Sequence, residues 1–209
     1  MFWKFNDTRT LKYFIMYNIK FILKEDFRKF NLANFFLFLV LFCSCGNQSE
    51  KNLIDSKKEN LLQLEDSFKF LYDIGNQKIS TNDFKGAIPI FSKAILLNPN
   101  NADPYYCRGY ALSAIGNDSA AVIDFDAAVR LMPDYKGAYF SRAVSYGILG
   151  RFNEAVRDYD EVIKLDSLFS NAWFNRGIIK VEIGNKNNGI KDITKAAKLK
   201  DPKAIEFLK

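Results

Sequence analysis

The chain is 209 residues long, with 48% apolar and 26% charged residues, an ordinary balance for a protein with a packed core of one or two domains. It contains no histidine, which removes Ser–His–Asp and Cys–His nucleophile activation, histidine-containing zinc sites and the side chain most used as a general base near neutral pH. The net charge of +6 is unevenly placed: seven Lys/Arg and three acids precede Cys45, so 23 basic and 21 acidic residues remain from there onward, and the body of the chain makes no electrostatic case for nucleic acid.

The first marked feature is FFLFLVLFC at 35–43, an unbroken apolar run preceded by Lys24, Arg28 and Lys29. It is shorter than the roughly 20 residues that span a bilayer and has the length of a signal-peptide core. The sequence that follows, Cys43-Ser44-Cys45-Gly46-Asn47, resembles the lipobox of bacterial lipoproteins, with Ser44 as the small residue before the modified cysteine and Phe42 departing from the usual leucine. That resemblance implies a signal peptide over 1–44 and a mature chain that begins at a lipidated Cys45. With Gly46 rather than Asp next, it implies the bacterial cell envelope, at the outer membrane. Met16 offers a second start that would leave residues 1–15 untranslated. The alternative is an uncleaved signal anchor on a cytosolic protein. Cys43 and Cys45 have no further Cys or His nearby to complete a metal shell, and three cysteines make no disulfide framework. Residues 45–67 are then polar (GNQSEKNLIDSKKEN) and read as a tether, helical near Leu61–Leu64.

From residue 68 the sequence repeats every 34 positions. Small residues recur at Gly75, Gly109, Ala143 and Gly177, and again at Ala87, Ala121, Ala155 and Gly189. Large ones recur at Leu71, Tyr105, Tyr139 and Trp173, and at Phe91, Phe125, Tyr159 and Ile193. Ala94, Ala128, Val162 and Ala196 form a further column, and Asn82, Gly116, Gly150 and Gly184 mark turns. Such a period identifies a stack of supersecondary units before any single site is considered. Small residues let two backbones approach, and the aromatic columns fill the space around that contact.

The 34-residue period with these columns resembles the tetratricopeptide repeat (TPR) family. The resemblance implies an all-α, right-handed α-solenoid of four TPR helix-turn-helix repeats at 68–101, 102–135, 136–169 and 170–203, followed by a stub at 204–209. Helix pairs are expected near 68–81/84–97, 102–115/119–131, 136–149/152–165 and 170–183/186–199.

Charge also repeats. Arg108, Arg142 and Arg176 recur at 34, as do Asp124, Asp158 and Asp192, while the first unit has Ile74 and Ile90 in both places. Joint loss of both members predicts structural ion pairs within each repeat.

By the same resemblance, a partner's peptide segment would lie in the concave groove against first-helix side chains: Tyr72, Asn76, Tyr106, Tyr110, Phe140, Phe174, Asn175 and Ile178. Exposed aromatic residues suit recognition because they give much contact area with few rotatable bonds. Some TPR domains hold a partner's terminal carboxylate with a clamp of lysines, asparagines and an arginine. Asn76 fits one clamp place, but Tyr72, Cys107, Gly137 and Ser141 stand in the others. The expectation is a non-catalytic scaffold that binds another protein, held to the membrane by its lipid, with no cofactor, metal, nucleic acid or small-molecule substrate. A carboxylate-dependent enzyme is the remote alternative, because Asp124/Asp126 and Asp158/Asp160 at i, i+2 point to different helix faces.

Overall fold

The computed structural model describes residues 48–209; the apolar run and Cys45 lie outside the described residues. Two compact units are distinguished, 1–58 and 59–209, and the repeats form the second. Among the described residues there are nine α-helices and no strand: α1 Gln48–Ser80, α2 Phe84–Leu97, α3 Ala102–Ala114, α4 Asp118–Leu131, α5 Lys136–Ile148, α6 Phe152–Leu165, α7 Ser170–Glu182, α8 Lys186–Lys198 and α9 Pro202–Phe207. The first eight make four successive helix pairs: α1 meets α2 where Gly75 and Tyr72 face Phe91, and from α2 onward each helix packs on the next along the chain. The fold is therefore an all-α solenoid.

The reading of residues 48–67 as a flexible tether needs correction. This segment is helical throughout, as the first part of the 33-residue α1. Its composition is polar, but it has neither Gly nor Pro between Gln48 and Ile74 and is rich in Lys, Glu, Gln and Leu, which lose little rotamer freedom in a helix.

Each pair is closed by the same turn. Gly116, Gly150 and Gly184 have φ of +82°, +71° and +86°, and Asn82 takes the equivalent place at +59°. Positive φ is cheap for glycine and tolerable for asparagine. The following amide reaches back five residues in all four repeats: Asp83 N to Lys78 O, Asn117 N to Leu112 O, Arg151 N to Tyr146 O and Asn185 N to Lys180 O, at 2.8–2.9 Å. These bonds satisfy carbonyls that the ending helix would otherwise orphan.

The periodic columns become the core. Ala87, Ala121 and Ala155, the rings Phe91 and Phe125, and the column Ala94, Ala128, Val162 and Ala196 are fully buried, with Tyr159 and Ile193 alongside. Small residues permit this packing. A Cβ on Gly109 would sit 2.9 Å from the Phe125 ring and 3.2 Å from the Ala121 carbonyl oxygen. In the fourth pair the backbones themselves meet, since a Cβ on Gly189 would lie 2.6 Å from the Gly177 carbonyl oxygen. The short α9 starts at Pro202 behind the Asp201 cap, whose carboxylate accepts from Ala204 N at 3.0 Å, and it lays Ala204 on Ile193 and Ala196.

Candidate peptide-binding strip and inter-repeat clamps

The expected recognition strip runs down the first helices, α1, α3, α5 and α7. Tyr110 is 44% exposed, standing edge-on to Phe84 at 6.1 Å between ring centroids. The other four rings are half-buried. Tyr72 packs on Phe91 at 6.1 Å, Tyr106 on Phe125 at 6.0 Å and Tyr135 at 4.9 Å, Phe140 on Tyr159 at 5.7 Å and Phe169 at 5.2 Å, and Phe174 on Phe207 at 6.5 Å. Ile178 is half-buried beside Ile193 and Ala196.

Polar members of the strip are tied down as well. The Cys107 thiol donates to Asn76 Oδ1 at 3.7 Å and lies 3.9 Å from the Tyr72 hydroxyl, linking the first two repeats. Asn175 Nδ2 donates to the Tyr159 hydroxyl at 3.3 Å. Burial pushes the Cys107 thiol up to about 11, so it stays protonated at neutral pH and is no nucleophile.

Tyr135 and Phe169 are strip residues that sequence reasoning missed. They occupy the position just before α5 and α7, where neither makes a side-chain capping bond. Asn101, one period earlier, does cap α3 by accepting from Asp103 N at 2.9 Å. Here two aromatic rings take the place of a cap, and each packs on the first-helix ring 29 residues earlier in its own repeat, Tyr135 on Tyr106 and Phe169 on Phe140. The available signal was the pair's own 34-residue spacing.

The arginine column forms the most ordered polar feature. Arg108 grips Asp124 with two bonds of 2.8 and 2.7 Å, Arg142 grips Asp158 with two of 2.7 Å, and Arg176 grips Asp192 at 2.7 and 2.8 Å. This fork-on-carboxylate geometry is the strong form of the interaction. In the first repeat the half-buried Ile74 and Ile90 occupy both places. The third guanidinium nitrogen points backward along the array: Arg108 donates to Ser92 at 2.9 Å, Arg142 to Asp126, and Arg176 to Asp160. Each arginine thus joins its own two helices to the second helix of the preceding repeat. The recurring large residue three positions earlier lies under the guanidinium, at 6.0 Å for Tyr105, 5.4 Å for Tyr139 and 4.7 Å for Trp173. The column Ser92, Asp126, Asp160 was not anticipated. Asp124 and Asp126 do face different ways, but each finds an arginine, one in its own repeat and one in the next.

Chemically these groups are committed. The buried carboxylates of Asp124, Asp158 and Asp192 each sit against a guanidinium and are spent on ion pairs. Burial raises the Asp158 carboxyl above its ordinary range while Arg142 pulls it back. Among the described residues no group of three or more His, Cys, Asp or Glu is arranged to hold a metal ion, and no helix is long and apolar enough to cross a membrane.

Residues 75–116 match a family model described as TPR repeat, and residues 137–167 match one described as Tetratricopeptide repeat. The fold is that of tetratricopeptide repeats. Solved structures agree. MamA from Desulfovibrio magneticus RS-1 is 22% identical, with 74% of this chain and 92% of that chain covered at a TM-score of 0.62. YrrB, described as a TPR protein with an unusual peptide-binding site, is 23% identical, covering 71% and 81% at 0.59. The first TPR domain of Spaghetti (RPAP3), solved with an HSP90 peptide, is 24% identical, covering 57% and 94% at 0.56. At these identities the likeness carries the fold. No curated protein matches the chain.

Proposed function

We propose that this protein is a non-catalytic scaffold that binds a peptide segment of another protein along the first-helix strip and is held to the bacterial cell envelope by a lipid on Cys45. Among the similar structures, a TPR domain bound to a peptide and a TPR protein described with a peptide-binding site support a protein partner. One observation favours this strip: it carries no charged side chain among Tyr72, Asn76, Tyr106, Tyr110, Phe140, Phe174, Asn175 and Ile178, and it presents the exposed Tyr110 ring among half-buried aromatics. Such a surface suits an apolar or uncharged segment. It does not suit the acidic SRMEEVD-type peptide of the Spaghetti structure, because the lysine and arginine clamp places hold Tyr72, Gly137 and Ser141.

A photo-cross-linking residue at Tyr110 should capture a protein partner in cells, whereas one at Ile123, exposed on the second helix α4, should not. With that partner in hand, Tyr110→Ala should weaken binding by roughly 30-fold, about 2 kcal/mol, with unchanged melting temperature and little dependence on salt. Equal capture at both positions, or full affinity without the ring, would move the site elsewhere.

Lipid anchoring rests on the apolar run and the Ser44-Cys45-Gly46 sequence. Cys45→Ala should abolish fatty-acid labelling and leave the precursor unprocessed. Retention in the membrane with no acyl label on the wild-type chain would instead assign a signal anchor.

A further inference from the structure

Within the array, each junction between repeats has two sides, and among the described residues the terminal repeats of the unit 59–209 each leave one side uncovered. On the leading side, Pro104, Ala138 and Ala172 belong to one column and are buried against the preceding repeat, as where Ala138 clusters with Ala128 of α4. Phe70 on α1 is the first member of that column and is 65% exposed. On the trailing side, Val122 is buried in a cluster with Ala143 and Tyr146 of the following repeat. Ile190 on α8 is the last member of its column and is 41% exposed. The helix α9 covers Ala196 and reaches Phe174, but leaves a groove of ≈ 260 Å³ along α8 lined by Ile190, Lys191, Thr194, Lys195 and Lys198. That is below the roughly 300–1,000 Å³ of a small-molecule pocket and suits a side chain of another protein.

The two uncovered sides carry opposite charge. On α1, Glu59, Asp66 and Asp73 stand seven residues apart, so they share the helix face that bears Phe70 and the 51%-exposed Leu62. On α8, Lys191, Lys195 and Lys198 at i, i+4, i+7 form one stripe beside Ile190. All six charged side chains are exposed, and none is ion-paired with another described residue. A like-charged stripe with no partner, beside an apolar residue from a packing column, is half of an interface.

We infer that the acidic face of α1 in one copy docks on the basic groove of α8 in a second copy, with Phe70 and Leu62 against Ile190. The contact is heterologous, joining head to tail, so it rings or propagates according to its rotation. Apolar burial supplies the attraction, and the charge stripes set orientation and exclude head-to-head pairing.

The test uses the full chain in non-ionic detergent, followed by sedimentation velocity at about 0.1 M salt, where exposed charges still interact over about 10 Å. The wild type should associate in a concentration-dependent way that weakens at about 1 M salt. Two charge reversals, Glu59→Lys/Asp66→Lys/Asp73→Lys and Lys191→Glu/Lys195→Glu/Lys198→Glu, should each weaken self-association by at least about tenfold. An equimolar mixture of the two should restore it, because each reversed face then meets its complement. Unchanged circular dichroism and melting of the variants separate these effects from misfolding. A monomeric wild type, a reversed variant that still self-associates, or a mixture that fails to recover would overturn the inference. So would loss confined to the lysine variant together with lost binding to phosphatidylglycerol vesicles, which would assign the groove to an anionic membrane surface.

Discussion

Arg142→Ala is expected to destabilise the array by about 3–5 kcal/mol, the range found when one partner of a buried ion pair is removed. The substitution strands the Asp158 carboxylate, which is only 5% exposed and otherwise receives two bonds from this guanidinium. It also opens the bond to Asp126 of the preceding repeat and removes the cation over the Tyr139 ring. The Asp126 part is small, since that carboxylate is half exposed and water screens it. Asp126→Asn should therefore cost no more than about 1 kcal/mol. The loss is dominated by an uncompensated charge, and replacing both members, as in Arg142→Met with Asp158→Leu, should recover most of it.

Acidity distinguishes this cause from simple loss of packing. Burial already raises the Asp158 carboxyl, and removing Arg142 takes away the group that lowers it. A carboxyl whose folded-state pKa lies above its unfolded value favours folding below the unfolded pKa and opposes it as pH rises through the folded one. The deficit of Arg142→Ala should accordingly be largest at neutral pH and shrink as the medium is acidified toward about pH 4, near the ordinary aspartate value. Chemical denaturation followed by circular dichroism at several pH values reads both effects. A loss below about 1 kcal/mol, or one that does not vary with pH, would show that the clamp adds little.

The clamps also show where a one-dimensional reading stops. Pairing of Arg142 with Asp158 can be inferred from the sequence because Ile74 and Ile90 replace both members together in the first repeat. The second partner leaves no such trace. Ser92 stands where Asp126 and Asp160 stand later, and it still accepts a bond from Arg108, so the column changes chemistry without losing the contact. A column alignment records which positions recur, not which of two neighbours a side chain meets. The same limit applies to the strip: Tyr106 and Phe140 recur as first-helix aromatics, yet Tyr135 and Phe169 cover part of each ring. Fold class was more legible, because a period of 34 with small and large columns leaves few ways to pack. The helix from Gln48 to Ser67 is hard to see in the sequence because low hydrophobicity masks a run of good helix formers.

Phe125→Ala should cost about 3–5 kcal/mol, the usual range for a fully buried aromatic ring. Phe125 has no exposure and lies in contact range of the Gly109 backbone, at the crossing of α3 and α4. Truncation leaves a void at that crossing, and glycine at 109 offers no side chain to fill it. Collapse would require the two helices to move together, but Arg108 and Asp124 hold their separation through two bonds within one turn of the void. Tyr106 loses its partner at 6.0 Å as well, which loosens the strip where Tyr135 covers it. In a linear stack each repeat contacts only its neighbours, so damage should spread by interface rather than through a common core. Hydrogen exchange should show α3 and α4 losing protection first, α2 and α5 next, and α7 and α8 least. Gly109→Ala with Phe125→Leu tests the geometry from the other side, because the smaller ring-free side chain makes room for the added Cβ and should recover part of the loss. Uniform loss of protection along all four repeats would mean that the array unfolds as a single cooperative block, and the nearest-neighbour account would fail.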